Sequence, residues 1–204
     1  MEGKQTSLIQ KISRIISEFF SPLVSLFLFF IYKSILEYSL QDSIIYFLPI
    51  LLIIILPVII WLVWNVKTGR YTNMDVSNRV QRKTFYIFTA TCVISYLIFH
   101  YIKNGSIDFL MMFILVLLFA LQISNFFIKS SMHTAFNVFV AALFYSLDWR
   151  IGIIWLGIAI LVGITRVILK RHTVKEVFMG AGIAFVISFI YLYCTIHFQH
   201  SNIL

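Results

Sequence analysis

A chain of 204 residues that is 61% hydrophobic and only 12% charged, with a mean hydropathy of +0.96, has about half the charge of a soluble domain. That composition excludes a soluble globular protein and reads as one integral membrane domain over 1–204. The net charge of +8 does not point to nucleic acid, since no soluble domain remains to carry a basic groove, and anionic lipid headgroups are its better partner.

At the start, Leu8, Ile9, Ile12, Ile15, Ile16 and Phe19 recur at helical spacing with Lys11, Arg14 and Glu18 between them. This predicts an interfacial amphipathic helix. Met1–Ser17 is polar and basic, and no A-x-A-like cleavage site follows the first apolar run, so no cleaved leader is expected. Spanning helices need about 20 mostly apolar residues. Phe19–Leu36 qualifies if Lys33 snorkels at its end, and 43–66 is free of charge despite Pro49 and Pro57. Thr84–Ile102, Phe109–Ile128 and Val177–Phe198 follow. Thr134–Leu147 and Ile151–Thr165 are short, and reach spanning length only by extending into polar flanks. Cys92 and Cys194 lie in apolar runs and read as small buried hydrophobes. The expectation is an all-α, polytopic membrane bundle of about six or seven transmembrane helices.

Three polar segments interrupt the apolar sequence: 67–83, 129–134 and 165–180. A count of seven spans leaves two crossings between each consecutive pair, so all three are expected on one face. Most juxtamembrane Lys and Arg serve as a topology signal, the ready explanation for Lys67, Arg70, Lys83 and Lys175. His133 and His172 are harder to dismiss, because ionisable groups in membrane segments are functional candidates by default. His172 and Glu176 are four apart, so on a helix they share a face. The carboxylate can then accept one ring N–H and leave the other nitrogen its lone pair, half of a nucleophile arrangement. With several arginines, whose guanidinium groups match tetrahedral oxyanions, and a second histidine, such a site suits phosphoryl transfer.

The pattern R-x5-H-x3-E at 166–176, preceded by Thr165, resembles the third motif of the type-2 phosphatidic acid phosphatases, S-R-x5-H-x3-D. That family shares its site with vanadium-dependent haloperoxidases. "SSMH" at 130–133 resembles the second motif, P-S-G-H, and "H-T-x-x-E-V-x-x-G" at 172–180 is close to the family's continuation into its last helix. The first motif, K-x6-R-P, is degenerate. With Arg82 in the arginine position, Asp75 stands for lysine and Lys83 for proline. Ser130, Met132, Thr165 and Glu176 are further departures, the last two keeping the chemistry.

The resemblance covers about 65–185. It implies that His172 attacks phosphorus, that Glu176 orients it, and that His133 protonates the leaving alkoxide and then activates water. Arg82 and Arg166 would bind non-bridging oxygens, Ser131 would donate a hydrogen bond, and Arg79 or Lys129 would add a cation. No metal or cofactor is required. The expected substrate is a lipid phosphate held in the bilayer, such as phosphatidic acid, phosphatidylglycerol phosphate, a polyprenyl diphosphate or a lipid A phosphate. No protein partner is inferable.

Two rivals remain open: a metalloenzyme using His133, His172 and Glu176 as ligands, and a transport or non-catalytic relative. His100, His197 and His200 read as interfacial or tail residues. Lys and Arg number 13 on the motif side against Lys33, Lys103 and Arg150 opposite. The positive-inside rule then puts the motifs on the cytoplasmic face of the inner membrane.

Overall fold

The computed structural model describes residues 7–199; Lys4 and His200 lie outside them. The described residues form helices joined by short turns, the arrangement a bilayer imposes where backbone polar groups must bond internally. In chain order these are α1 (Leu8–Phe19), α2 (Pro22–Glu37), α3 (Leu40–Ile50), α4 (Leu56–Lys67), α5 (Arg79–Asn104), α6 (Phe109–Phe127), α7 (Met132–Leu147), α8 (Trp149–Ile168) and α9 (Val174–Gln199). A π-helical turn over Leu51–Ile55 joins α3 to α4. Pro57 lacks an N–H and crowds the carbonyl a turn earlier, and the widened turn just before it lets the helix run on over Leu40–Lys67.

Five helical segments are long and apolar enough to cross a membrane: Leu40–Lys67, Arg79–Asn104, Phe109–Phe127, Trp149–Ile168 and Val174–His197. A sixth arises if α1 and α2, bent by 53°, count as one broken span. Seven is therefore too many by this measure. Of the two short runs, α8 gains its length from polar flanks and reaches 20 residues. Helix α7 stops at 16, about 24 Å against a hydrocarbon core of about 30 Å. Twelve of its residues are buried. A helix walled by protein is not obliged to match the thickness of lipid.

The chain forms two compact units. One comprises residues up to Phe29 with Ser130–Leu192, and the other Phe30–Lys129 with residues from Tyr193 onward.

In the first unit α7 and α8 form an antiparallel hairpin whose linker is the single residue Asp148, which caps α8 by accepting from Arg150 N at 2.8 Å. Gly152 allows the close approach: a Cβ there would lie 2.5 Å from Tyr145 Cα. The fully buried Asn137 of α7 ties in the N-terminal arm, donating to Phe20 O at 2.8 Å and accepting from Ser25 Oγ at 2.9 Å. Phe20 also sets its ring edge-on to Trp155 of α8, 5.8 Å between centroids.

Helix α1 has an unusual division of faces. Its buried residues are Ser13 and Ser17, while Leu8, Ile9, Ile12, Ile15 and Phe19 are exposed. Around the helix this gives three sectors: serines inward, an apolar side outward, and Lys11, Arg14 and Glu18 on the third. An outward apolar sector beside a charged one is the pattern of a helix lying at a lipid interface. A capping box starts it: Ser7 and Gln10 bond each other's backbone.

In the second unit, 68–78 folds back onto the start of α5. Tyr71 N donates to Asn65 O at 2.9 Å, the Tyr71 hydroxyl pairs with Thr84 Oγ1 at 2.8 Å, and Gln81 Nε2 donates to Arg70 O at 2.8 Å.

Candidate active site

The spacing R-x5-H has a backbone cause. Helix α8 ends in a Schellman turn: Lys170 takes the left-handed conformation (φ 54°), its N–H donates to Val167 O at 2.9 Å, and Arg171 N donates to Arg166 O at 3.0 Å. The next N–H, that of His172, reaches the same Arg166 carbonyl at 3.3 Å. One turn of chain reversal thus links the two residues, and the five between them are what that reversal requires.

His172 is buried, 5% exposed. It does not lie on a helix, as its spacing from Glu176 suggested, but two residues ahead of α9. Glu176 sits in the first turn of α9 and reaches back. Its Oε2 accepts from Thr173 N at 3.0 Å, while Thr173 Oγ1 accepts from Glu176 N at 3.3 Å. Together they make a capping box, T-x-x-E, a pattern present in the sequence itself. The same Oε2 lies 2.9 Å from His172 Nδ1. With Nδ1–H given to a carboxylate, the neutral imidazole carries its lone pair on Nε2. The cap holds the carboxylate in place, and the carboxylate sets the tautomer.

The second and third polar segments meet directly. Ser131 N donates to Glu176 O at 2.9 Å, and a Cβ on Gly180, one turn further along α9, would fall 2.5 Å from Ser131 O. Glycine there lets α9 lie against the start of α7. Ser131 is the N-cap of α7 and fully buried; its hydroxyl accepts from Thr134 N at 3.4 Å and from Thr134 Oγ1 at 3.0 Å. That leaves the Ser131 proton as its donor. His133 follows in the first turn of α7, 6% exposed. Here the helix N–H groups have no carbonyl a turn earlier, and the helix dipole favours an anion.

Arg166 is buried at 2% exposure, and its Nη1 donates to Ser17 Oγ of α1 at 2.9 Å. Nothing in the motif spacing pointed to Ser17. The available signal was weak: two serines four apart, facing inward on an otherwise apolar and charged helix.

The remaining candidates belong to the second unit. Arg82 is buried, and its Nε donates to Val76 O at 3.4 Å. Val76 has φ 46°, a strained conformation for a β-branched residue. Arg79 is exposed; its Nε donates to Asn125 O, and Asn125 Nδ2 returns a bond to Arg79 O at 3.2 Å. Lys129 Nζ donates to Ser77 O at 3.4 Å. Among the described residues no three His, Cys, Asp or Glu side chains form a group that could hold a metal ion, so the ligand set His133–His172–Glu176 is not formed.

The model of the PAP2 superfamily matches residues 122–199, a stretch that holds Lys129, Ser131, His133, Arg166, His172 and Glu176 and leaves out Arg79 and Arg82. No curated protein and no solved structure matches the chain. Residues 122–199 of this membrane protein are thus similar to the PAP2 superfamily, and that stretch carries the motifs around His133 and His172.

Proposed function

We propose that the protein is a lipid phosphate phosphatase working through a phosphohistidine intermediate. The superfamily match supports hydrolysis of phosphate esters, and the apolar helices support a substrate presented by the membrane. The observation that carries the reading is the 2.9 Å bond from His172 Nδ1 to Glu176. It leaves Nε2 as the nucleophile and places a negative charge where the imidazolium character of a phosphohistidine develops.

In this reading the Nε2 lone pair forms the N–P bond as the P–O bond to the lipid breaks. His133 gives its proton to the leaving alkoxide, then takes one from the water that cleaves N–P. Arg166 and the Ser131 hydroxyl stabilise the non-bridging oxygens. From the first motif, Arg82 with Arg79 or Lys129 supplies further cations, an assignment made on the resemblance alone. No metal enters the reaction. Substrates are a phosphomonoester or diphosphate of a lipid, such as phosphatidic acid, phosphatidylglycerol phosphate or a polyprenyl diphosphate.

The test is phosphate release from a panel of lipid phosphates by purified protein in excess chelator, with acid-labile, base-stable phosphoenzyme trapped on rapid quenching. Release that chelator removes, or no release at all, would overturn the reading; the second result would point to a non-catalytic relative, consistent with Asp75 and Lys83 in the first motif.

His133→Ala is expected to slow lipid phosphates by roughly 10²–10⁴-fold, the usual range for general acid–base catalysis. Substrates with an acidic phenol leaving group need no proton, and their phosphorylation step should fall far less. Equal losses for both kinds of substrate would remove His133 from the acid role.

The motif face is proposed to be cytoplasmic, on the excess of Lys and Arg there. A cysteine introduced at Ser77 should resist an impermeant thiol reagent in intact cells and react after lysis. Labelling in intact cells would reverse the orientation.

A further inference from the structure

Helix α1 packs against α8 with two serines inward, where an apolar side chain is the ordinary choice for a buried helix face. One of these serines, Ser17, is 2% exposed and receives a hydrogen bond from Arg166 Nη1 at 2.9 Å, across 149 residues of sequence. Its placement is fixed from both sides. The capping box at Ser7 and Gln10 starts the helix. At its other end, Phe20 is held through its carbonyl by Asn137 of α7 and through its ring by Trp155 of α8. From this we infer that Ser17 is a positioning residue for Arg166: its hydroxyl fixes the direction of the guanidinium that the phosphatase reading aims at the non-bridging oxygens. The inference rests on the phosphatase reading and extends it to a residue outside the matched motifs.

The chemistry of the partner matters. A guanidinium presents its donors in a fixed plane, so one hydrogen bond at Nη1 sets the direction of the others. A hydroxyl supplies that bond without cancelling the positive charge. A carboxylate in the same place would orient the fork too, but it would neutralise it and compete with phosphate for the remaining donors.

The chemistry separates three substitutions. Ser17→Ala removes the bond, Ser17→Thr keeps the hydroxyl, and Ser17→Asp keeps an acceptor but adds negative charge. The probe is inorganic phosphate, its Kd measured by calorimetry on the full chain in detergent micelles, alongside KM and kcat for a lipid phosphate and the thermal midpoint. Ser17→Ala is expected to raise Kd and KM about fivefold to tenfold, the loss of one ordinary hydrogen bond's orientation, with a smaller change in kcat. Ser17→Thr should lie within about twofold of wild type. Ser17→Asp should bind phosphate more weakly than Ser17→Ala while melting no lower, a split that simple loss of packing would not produce.

A double-mutant cycle completes the test. In an Arg166→Ala background, Ser17→Ala should change nothing further. Wild-type binding with Ser17→Ala unaltered, or an undiminished Ser17→Ala effect without Arg166, overturns the inference alone. Wild type that neither binds nor hydrolyses phosphate overturns the phosphatase reading, and the inference with it.

Discussion

His172→Ala is expected to reduce phosphate release to background, a loss of roughly 10⁴-fold or more, comparable to removing the nucleophile or its base from other covalent hydrolases. No phosphoenzyme should form. The fold should persist, because the elements around His172 are held by backbone bonds that do not involve its ring: the Schellman turn at Arg166–Arg171, the Thr173–Glu176 capping box and the link from Ser131 N to Glu176 O. Glu176→Gln is the informative companion. An amide keeps a hydrogen-bond acceptor for His172 Nδ1 but not the negative charge opposite the phosphoimidazolium, so activity should fall substantially while the thermal midpoint moves little. Phosphate release and rapid-quench labelling read the first effect, and thermal unfolding the second. A His172→Ala protein that still turns over would end the nucleophile assignment.

Gly180→Ala should produce the largest structural effect of any single methyl group on the site. The added Cβ would lie 2.5 Å from Ser131 O and 3.0 Å from Ser131 N. These are backbone atoms, so no rotamer change relieves the clash. Helix α9 must draw back from the start of α7, and the 2.9 Å bond from Ser131 N to Glu176 O breaks with it. Overpacking of this kind costs about 1–3 kcal/mol and the lost bond about 1 more. For a chain of this size that is a thermal midpoint lower by several degrees. Of the two elements that separate, α7 carries His133 and α9 carries Glu176, which holds His172, and a misplacement of about 1 Å can cost about 10²-fold in rate.

Gly182 supplies the control. It lies on the same helix with nothing within 4 Å of an added Cβ, and glycine is a poor helix former, about 1 kcal/mol worse than alanine. Gly182→Ala should therefore be neutral or slightly stabilising, with activity intact. Identical behaviour of the two variants would show that the approach of α9 to Ser131 is not what positions the site.

Much of this was legible because lipid is a simple solvent. It requires about 20 apolar residues per crossing and tolerates little else, so 43–66, Thr84–Ile102, Phe109–Ile128 and Val177–Phe198 each announced a helix that the structure contains. The same logic overcounted at Thr134–Leu147. Apolar composition does not say whether a helix faces lipid or protein, and the burial of α7 emerges only from packing. The site divides in the same way. R-x5-H-x3-E was readable as a pattern, and T-x-x-E within it was readable as a cap. That His172 stands ahead of the helix followed from the turn at Lys170, a positive-φ position that glycine would have advertised and lysine does not.

The sequence by itself determined the solvent, the helical class, most helix positions and the residues with chemistry to offer, because each depends on composition or on neighbours within a turn. Tertiary structure alone decided that Gly180 sits against Ser131 and that Ser17 meets Arg166 across 149 residues. Contacts between distant segments depend on how helices pack. Two serines on an amphipathic helix carry no mark of the arginine they will face.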